Sequence, residues 1–334
     1  MRSIFKAAKH SIMSFRDALA EDRVLLLDGG TGSELRRRGL ALSDACWSAS
    51  VNLEHGDLLE AIHRDYIAAG ADIVTANTFG TSRFVLAAEG LDDSFAAVNR
   101  AALRAARNAA DAAVAGTANA ENSARPDRPV FVAASLSCMP PSFDRSAYPP
   151  TAEEYAAYCE LAECFADSGV DLVLLEMLQS APHAELACRA VRAAGLPFVA
   201  GLSCRLRAAP RRAGGKRVDP SLSAQDLVTF DDVSLPIEPA LDAVIEFAPD
   251  AIAIMHTPVE AMLPALDLLR GRWQGPIGAY AEIPYPEDPE GNGAERLASD
   301  AYAAEARRWI AAGASIVGGC CGTMPAHITA IARI

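Results

Sequence analysis

Positive charge is scarce in this 334-residue chain, whose formal net charge is −13. A chain of that sign has no basic field with which to hold nucleic acid or an anionic membrane surface, so neither is expected as a partner. Long apolar runs are missing as well. No stretch approaches the ~18–20 residues needed to cross a bilayer. A regular cysteine framework is the third absence. The eight cysteines fall at irregular intervals, unlike the dense cysteines of small secreted domains. A protein of the reducing cytoplasm is expected. The opening segment, MRSIFKAAKHSIMSFR, contains no acid and carries Arg2, Lys6, Lys9 and Arg16. It faintly resembles a transit peptide; the preferred reading is a basic amphipathic arm or helix over 1–20.

What is present is a hydrophobic content of 51%, enough for a large core, arranged in one recurring pattern. A short apolar, β-rich run is followed by a loop and an Ala-rich helical stretch. The runs are 24–28, 72–77, 130–135, 171–176, 197–203, 250–256, 276–282 and 314–320. Runs apolar on both faces fit parallel strands covered on both sides. Helical stretches are expected at 54–69, 92–115, 152–168, 183–194, 238–247, 259–270 and 297–312. Several close at a glycine just before the next strand, as in AAGAD, DSGVD and AAGAS. Length alone suggests two domains, but eight βα units predict one closed (β/α)8 barrel, an α/β fold, over 21–334. Two long loops are expected, at 117–129 and at about 205–235. The second follows a strand and therefore lies on the active-site side, as a lid or as a plain excursion.

In such barrels chemistry sits at the C-terminal strand ends. Here those ends carry Asp28-Gly29-Gly30, Asn77-Thr78, Glu176, His256 and Gly318-Gly319-Cys320-Cys321-Gly322. The adjacent cysteines make a poor disulfide, because neighbouring Cα atoms stand about 3.8 Å apart and a relaxed bridge usually needs about 4.4 Å or more. Two thiolates can instead grip one metal. His256, Cys320 and Cys321 would supply three borderline-to-soft ligands and leave one position open, the layout of a catalytic zinc. Zinc there would hold an incoming thiol as its thiolate at neutral pH.

At LLLDGGTGSELRRRG (25–39), CWSAS (46–50), AGADIVTANTFGTSR (69–83), SGVDLVLLEM (168–177) and IVGGCCGTMPAHI (316–328), the sequence resembles the homocysteine S-methyltransferase family. The resemblance runs over 24–334. It implies a (β/α)8 barrel with one zinc held by three cysteines, two of them at the positions of Cys320 and Cys321. The third ends strand six, where this chain reads Met255-His256-Thr257. His256 for cysteine leaves the site one negative charge short; Cys204, just after strand five, is the competing third ligand. The family binds the amino group of its acceptor through an acidic pair, matched by Asp28 and Glu176. Gly29 and Gly30 match the backbone around the acceptor's carboxylate, and Trp47 matches a tryptophan lying towards the methyl donor. Asn77 and Thr78 are further candidates for substrate contact. The third strand ends in SLSCMPPS (135–142) and lacks the family's glycine turn. The resemblance implies methyl transfer from a sulfonium or quaternary ammonium donor to a small thiol, homocysteine giving methionine. A barrel acting on another thiol or a methylated amine, and a non-catalytic metal or thiol sensor, stay open, as does self-association into a homo-oligomer.

Overall fold

The computed structural model describes residues 13–117, 128–207, 223–283 and 297–334. Eight parallel strands form the barrel: β1 (Leu25–Leu26), β2 (Ile73–Ala76), β3 (Phe131–Ser137), β4 (Leu172–Leu178), β5 (Phe198–Leu202), β8 (Ala251–Pro258), β9 (Ile277–Glu282) and β10 (Ala314–Gly319). They pair in the order β1-β10-β9-β8-β5-β4-β3-β2. A parallel bridge between Leu27 and Ile73 closes the ring, helped by Asp28 N–H donating to the Ile73 carbonyl at 3.0 Å. Two further strands, β6 (Cys204–Leu206) and β7 (Leu227–Thr229), make a small antiparallel hairpin outside the ring. Every βα unit expected from the sequence is present, with boundaries moved by a few residues. Shorter helices add to the set, among them Thr31–Arg37, Arg83–Ala87 and Pro325–Ile331.

The strands are apolar on both faces because each serves two cores. In β4, Leu172 and Leu174 belong to the packed barrel interior, while Val173 and Leu175 pack with the helices. In β3 the same alternation sets Phe131 and Ala133 inside and Val132 and Ala134 outside. Side chains two apart on a strand share a face, so this parity decides which strand-end residues can reach the barrel mouth.

The segment expected as a basic arm over 1–20 is described from residue 13 onward. It contains a short helix, Phe15–Leu19, capped by Ser14, whose hydroxyl accepts from Asp17 N–H. Phe15 is 2% exposed and meets Phe131 edge-on at 6.0 Å, plugging the N-terminal end of the barrel. Arg16 anchors the plug through a two-point contact with Asp250, at 2.5 and 3.2 Å. Truncation of a fully buried phenylalanine costs about 3–5 kcal/mol. Phe15→Ala is therefore expected to lower the urea midpoint markedly while metal content is unchanged, the two ends of the barrel being separate; urea titration followed by circular dichroism and metal analysis of the same preparation check this.

The stretch expected as one loop over 205–235 holds β7 and the outer part of β6 at its described edges, and residues 208–222 lie outside the described residues. Most of the loop expected at 117–129 also lies outside them. Among the described residues no helix is long and apolar enough to cross a membrane.

Candidate metal centre

Three ligand-capable side chains meet at the C-terminal mouth. One ligand atom each from His256, Cys320 and Cys321 lies within 4.8 Å of the others, the only such group found among the described residues. Parity delivers Cys320: Ile316 faces the interior, so residues 318 and 320 continue on that face. His256 arrives differently. Met255 is interior, which would turn His256 outward; instead its backbone takes φ 42°, at a point where the β8–β9 register shifts between Met255 and Pro258. A left-handed conformation in a residue other than glycine costs of order 1–3 kcal/mol. Here it swings the imidazole to the mouth. The Ser203 hydroxyl fixes the turn by donating to the His256 carbonyl at 2.9 Å.

The cysteine turn is held from three sides. Cys320 N–H donates to the Ala281 carbonyl at 3.0 Å, and Ile283 N–H donates to that of Cys321 at 2.9 Å. The Thr323 hydroxyl donates to the Cys320 carbonyl at 2.6 Å, and Gly322 N–H donates to Ser33 Oγ at 2.8 Å. Gly322 sits at φ 77°, a conformation glycine adopts without strain. Gly30 is required for a different reason: a Cβ there would stand 2.9 Å from the Cys320 carbonyl oxygen. The loop after β1 thus passes close under the cysteines.

The donor set fits zinc. Two ligands at ordinary Zn–S and Zn–N lengths, set at the tetrahedral angle, stand about 3.6 Å apart; Cys320 Sγ and His256 Nδ1 are separated by 3.6 Å. The rival, Cys204, is buried with its thiol 3.8 Å from Thr257 Oγ1, in the core between strands and helices. It lies outside the converging group. The contact with Cys321, reinforced by burial, pushes the Cys320 thiol well above its ordinary value. Loading a metal must displace the thiol protons.

Two buried carboxylates lie beside the thiols. Asp28 is 2% exposed and Glu176 8%. Thr75 donates to Asp28 twice, from its backbone N–H at 2.7 Å and its hydroxyl at 2.8 Å. The Ser135 hydroxyl donates to Glu176. Burial pushes Asp28 up to about 7 against the pull of the Thr75 bonds, and the charge of Glu176 adds to the rise. Burial likewise raises Glu176 to about 7, opposed by Ser135, with Cys321 adding to the rise and His256 opposing it. Buried carboxyls of this kind need a cation to ionise comfortably.

The remaining candidates divide. Trp47 is half-buried at the mouth and takes φ 51°; its ring meets Phe79 at 4.9 Å and Phe143 at 5.0 Å, both edge-on. Gly29 lies under the site against Thr323 and Tyr66. Asn77 is used up in tying β2 to the 48–52 segment: it accepts from Ser48 at 2.6 Å and donates to the Ser48 carbonyl at 3.0 Å and Asn52 at 2.6 Å. Thr78 is fully buried, donating to the Ser135 carbonyl at 2.8 Å and accepting from Ser135 N–H at 2.9 Å. Both help to hold the mouth's frame through these bonds. Sequence reading missed Thr75, Ser135, Phe79, Phe143, Phe230 and Glu282. Three of them were marked: Thr75, Ser135 and Glu282 continue the interior parity of Ile73, Ala133 and Tyr280.

Known proteins resemble this chain in sequence and, for one solved structure, in fold. Homocysteine S-methyltransferase YbgG of Bacillus subtilis (strain 168) is 26% identical over 324 residues, covering 92% of this chain and 93% of that protein. The homocysteine S-methyltransferase of Escherichia coli (strain K12) is 28% identical over 332 residues, covering 95% of this chain and 96% of its own. The crystal structure of the homocysteine methyltransferase MmuM from Escherichia coli, metallated form, matches the fold with a TM-score of 0.71 at 24% identity, over 94% of this chain and 96% of that one. The family model described as homocysteine S-methyltransferase matches residues 25–334. A match that begins on β1, takes in every barrel strand and runs past the cysteine turn leaves one assignment: this chain is a methyltransferase of the homocysteine S-methyltransferase family.

Proposed function

We propose that the protein is a zinc-dependent S-methyltransferase that moves a methyl group from a sulfonium or quaternary ammonium donor to homocysteine, giving methionine. The observation that carries the reading is the convergence of His256, Cys320 and Cys321 within 4.8 Å beside two buried carboxylates. Zinc bound by these three residues supplies an acceptor sulfur in its thiolate form at neutral pH.

The chain's own residues do the rest by holding and orienting. Asp28 and Glu176 receive the acceptor's ammonium group, and Thr75 and Ser135 keep each carboxylate aimed while doing so. Gly29 and Gly30 let the backbone come close to the acceptor's carboxylate. Trp47, with Phe79 and Phe143 against it, offers ring faces to a cationic donor, worth about 0.5–2 kcal/mol. The donor loses its charge as the methyl leaves, so cation binding alone does not speed the step. The rate comes from alignment: acceptor sulfur, methyl carbon and departing sulfur or nitrogen in line, the donor leaving as a neutral thioether or amine. The protein works in the reducing cytoplasm, where the vicinal thiols stay reduced.

The carboxylates set a pH dependence. Both have folded values near 7, above their ordinary 3.8 and 4.5. Protonated, they favour the native state, and that stabilisation is lost as pH rises through about 7. Ammonium binding needs them ionised, so acceptor affinity is expected to fall on acidification from pH 8 to pH 6, by up to roughly tenfold per unit for each proton displaced. Titration calorimetry at three pH values checks this; affinity that rises towards pH 6 goes against the assignment.

The functional test uses protein reconstituted with zinc under reducing conditions, supplied with homocysteine and, separately, S-methylmethionine, S-adenosylmethionine and betaine. Methionine from at least one donor is the expected result. Binding of homocysteine with no methionine from any of the three overturns the proposal and favours a sensor.

A further inference from the structure

His256 has a carboxylate partner of its own. His256 Nδ1 faces Cys320 Sγ at 3.6 Å, while Nε2, on the other side of the ring, faces Glu282 Oε2 at 3.4 Å. Glu282 is the last residue of β9 and pairs with Pro258 beyond the β8 irregularity. It stands between two residues bonded to the cysteine turn, Ala281 and Ile283. Its position is therefore tied to the cysteines themselves. Phe230 packs against the imidazole with ring centroids 4.6 Å apart, limiting the ring's rotation from a third side.

Building on the zinc reading above, we propose that Glu282 is the positioning residue for His256: its carboxylate accepts the Nε2 proton, presents Nδ1 to the metal and adds a negative charge that a neutral imidazole does not bring. The chemistry is that of a carboxylate–histidine–metal relay. The carboxylate fixes the tautomer, so the nitrogen facing Cys320 carries the lone pair. It makes the imidazole a more basic donor. The two side chains together then do what one cysteine does alone, binding the metal and adding one unit of negative charge to its surroundings.

The test is zinc affinity of the full chain, measured by competition with a chromophoric chelator and independent of turnover. Glu282→Ala is expected to weaken zinc about 10–100-fold, the range for removing such a partner. Glu282→Gln is expected to weaken it less, since its amide oxygen still accepts the Nε2 proton. The decisive arm repeats Glu282→Ala in the His256→Cys background, where the carboxylate has no imidazole to orient; the loss there is expected to shrink to about threefold or less. His256→Ala serves as a second background with the same expectation. Circular dichroism shows whether each variant is folded. Equal losses with and without His256, or no loss in the parent background, overturn the inference and leave the zinc reading standing. A parent protein that takes up no zinc overturns both.

Discussion

Replacing Cys320 and Cys321 together by serine is expected to abolish stoichiometric zinc and methyl transfer while leaving the barrel folded. The two sulfurs are the anionic donors of the proposed site, and serine hydroxyls do not ionise near neutral pH. The fold survives because what secures this turn is backbone: the bonds from Cys320 N–H to Ala281 and from Ile283 N–H to Cys321 need no sulfur. Both cysteines are only partly buried, so little packing is lost. Metal analysis by mass spectrometry should fall from one zinc per chain to background, with circular dichroism and the thermal midpoint close to the parent. One zinc per chain in the double variant would contradict the site.

Glu176→Gln and Asp28→Asn are expected to divide acceptor binding from metal binding. A hydrogen bond to a charged group contributes about 1.5–3 kcal/mol, so each variant should bind homocysteine about 10- to 150-fold more weakly. Zinc affinity should move little, because neither carboxylate belongs to the converging group. Each neutral side chain also removes its own share of the acidic loss of affinity assigned above to ionisation of these groups, a readout that a merely structural role would leave in place. Parent-like acceptor affinity in both variants, with the protein folded and loaded with zinc, would sink the assigned role.

The barrel was legible because its cause is local. Eight apolar runs, each followed by an Ala-rich stretch, have one economical packing, and the glycine stops before the strands are explicit in the text. Cys320 and Glu176 were legible for the same reason: they end strands whose parity points inward. Parity also separates Cys204 from the site, since it continues the outward face of Ala200 and Leu202. His256 breaks that rule. Its inward placement depends on a left-handed residue at a register shift, which follows from how β8 meets β9 and is written in no short pattern. Asn77 has bonds that the sequence did not announce: its side chain is tied to Ser48 and Asn52. Phe230 follows β7, whose partner β6 lies more than twenty residues earlier, so its contact with His256 had no local signal at all.

The measurement that bears most directly on the central claim is zinc K-edge X-ray absorption of the reduced, reconstituted protein. The account predicts two sulfur neighbours at about 2.3 Å and one imidazole nitrogen at about 2.0–2.1 Å, with the open position filled by a light atom. Adding homocysteine should raise the sulfur count to three. Three sulfurs without homocysteine, and no imidazole signature, would mean that a cysteine such as Cys204 holds the metal and that His256 does not.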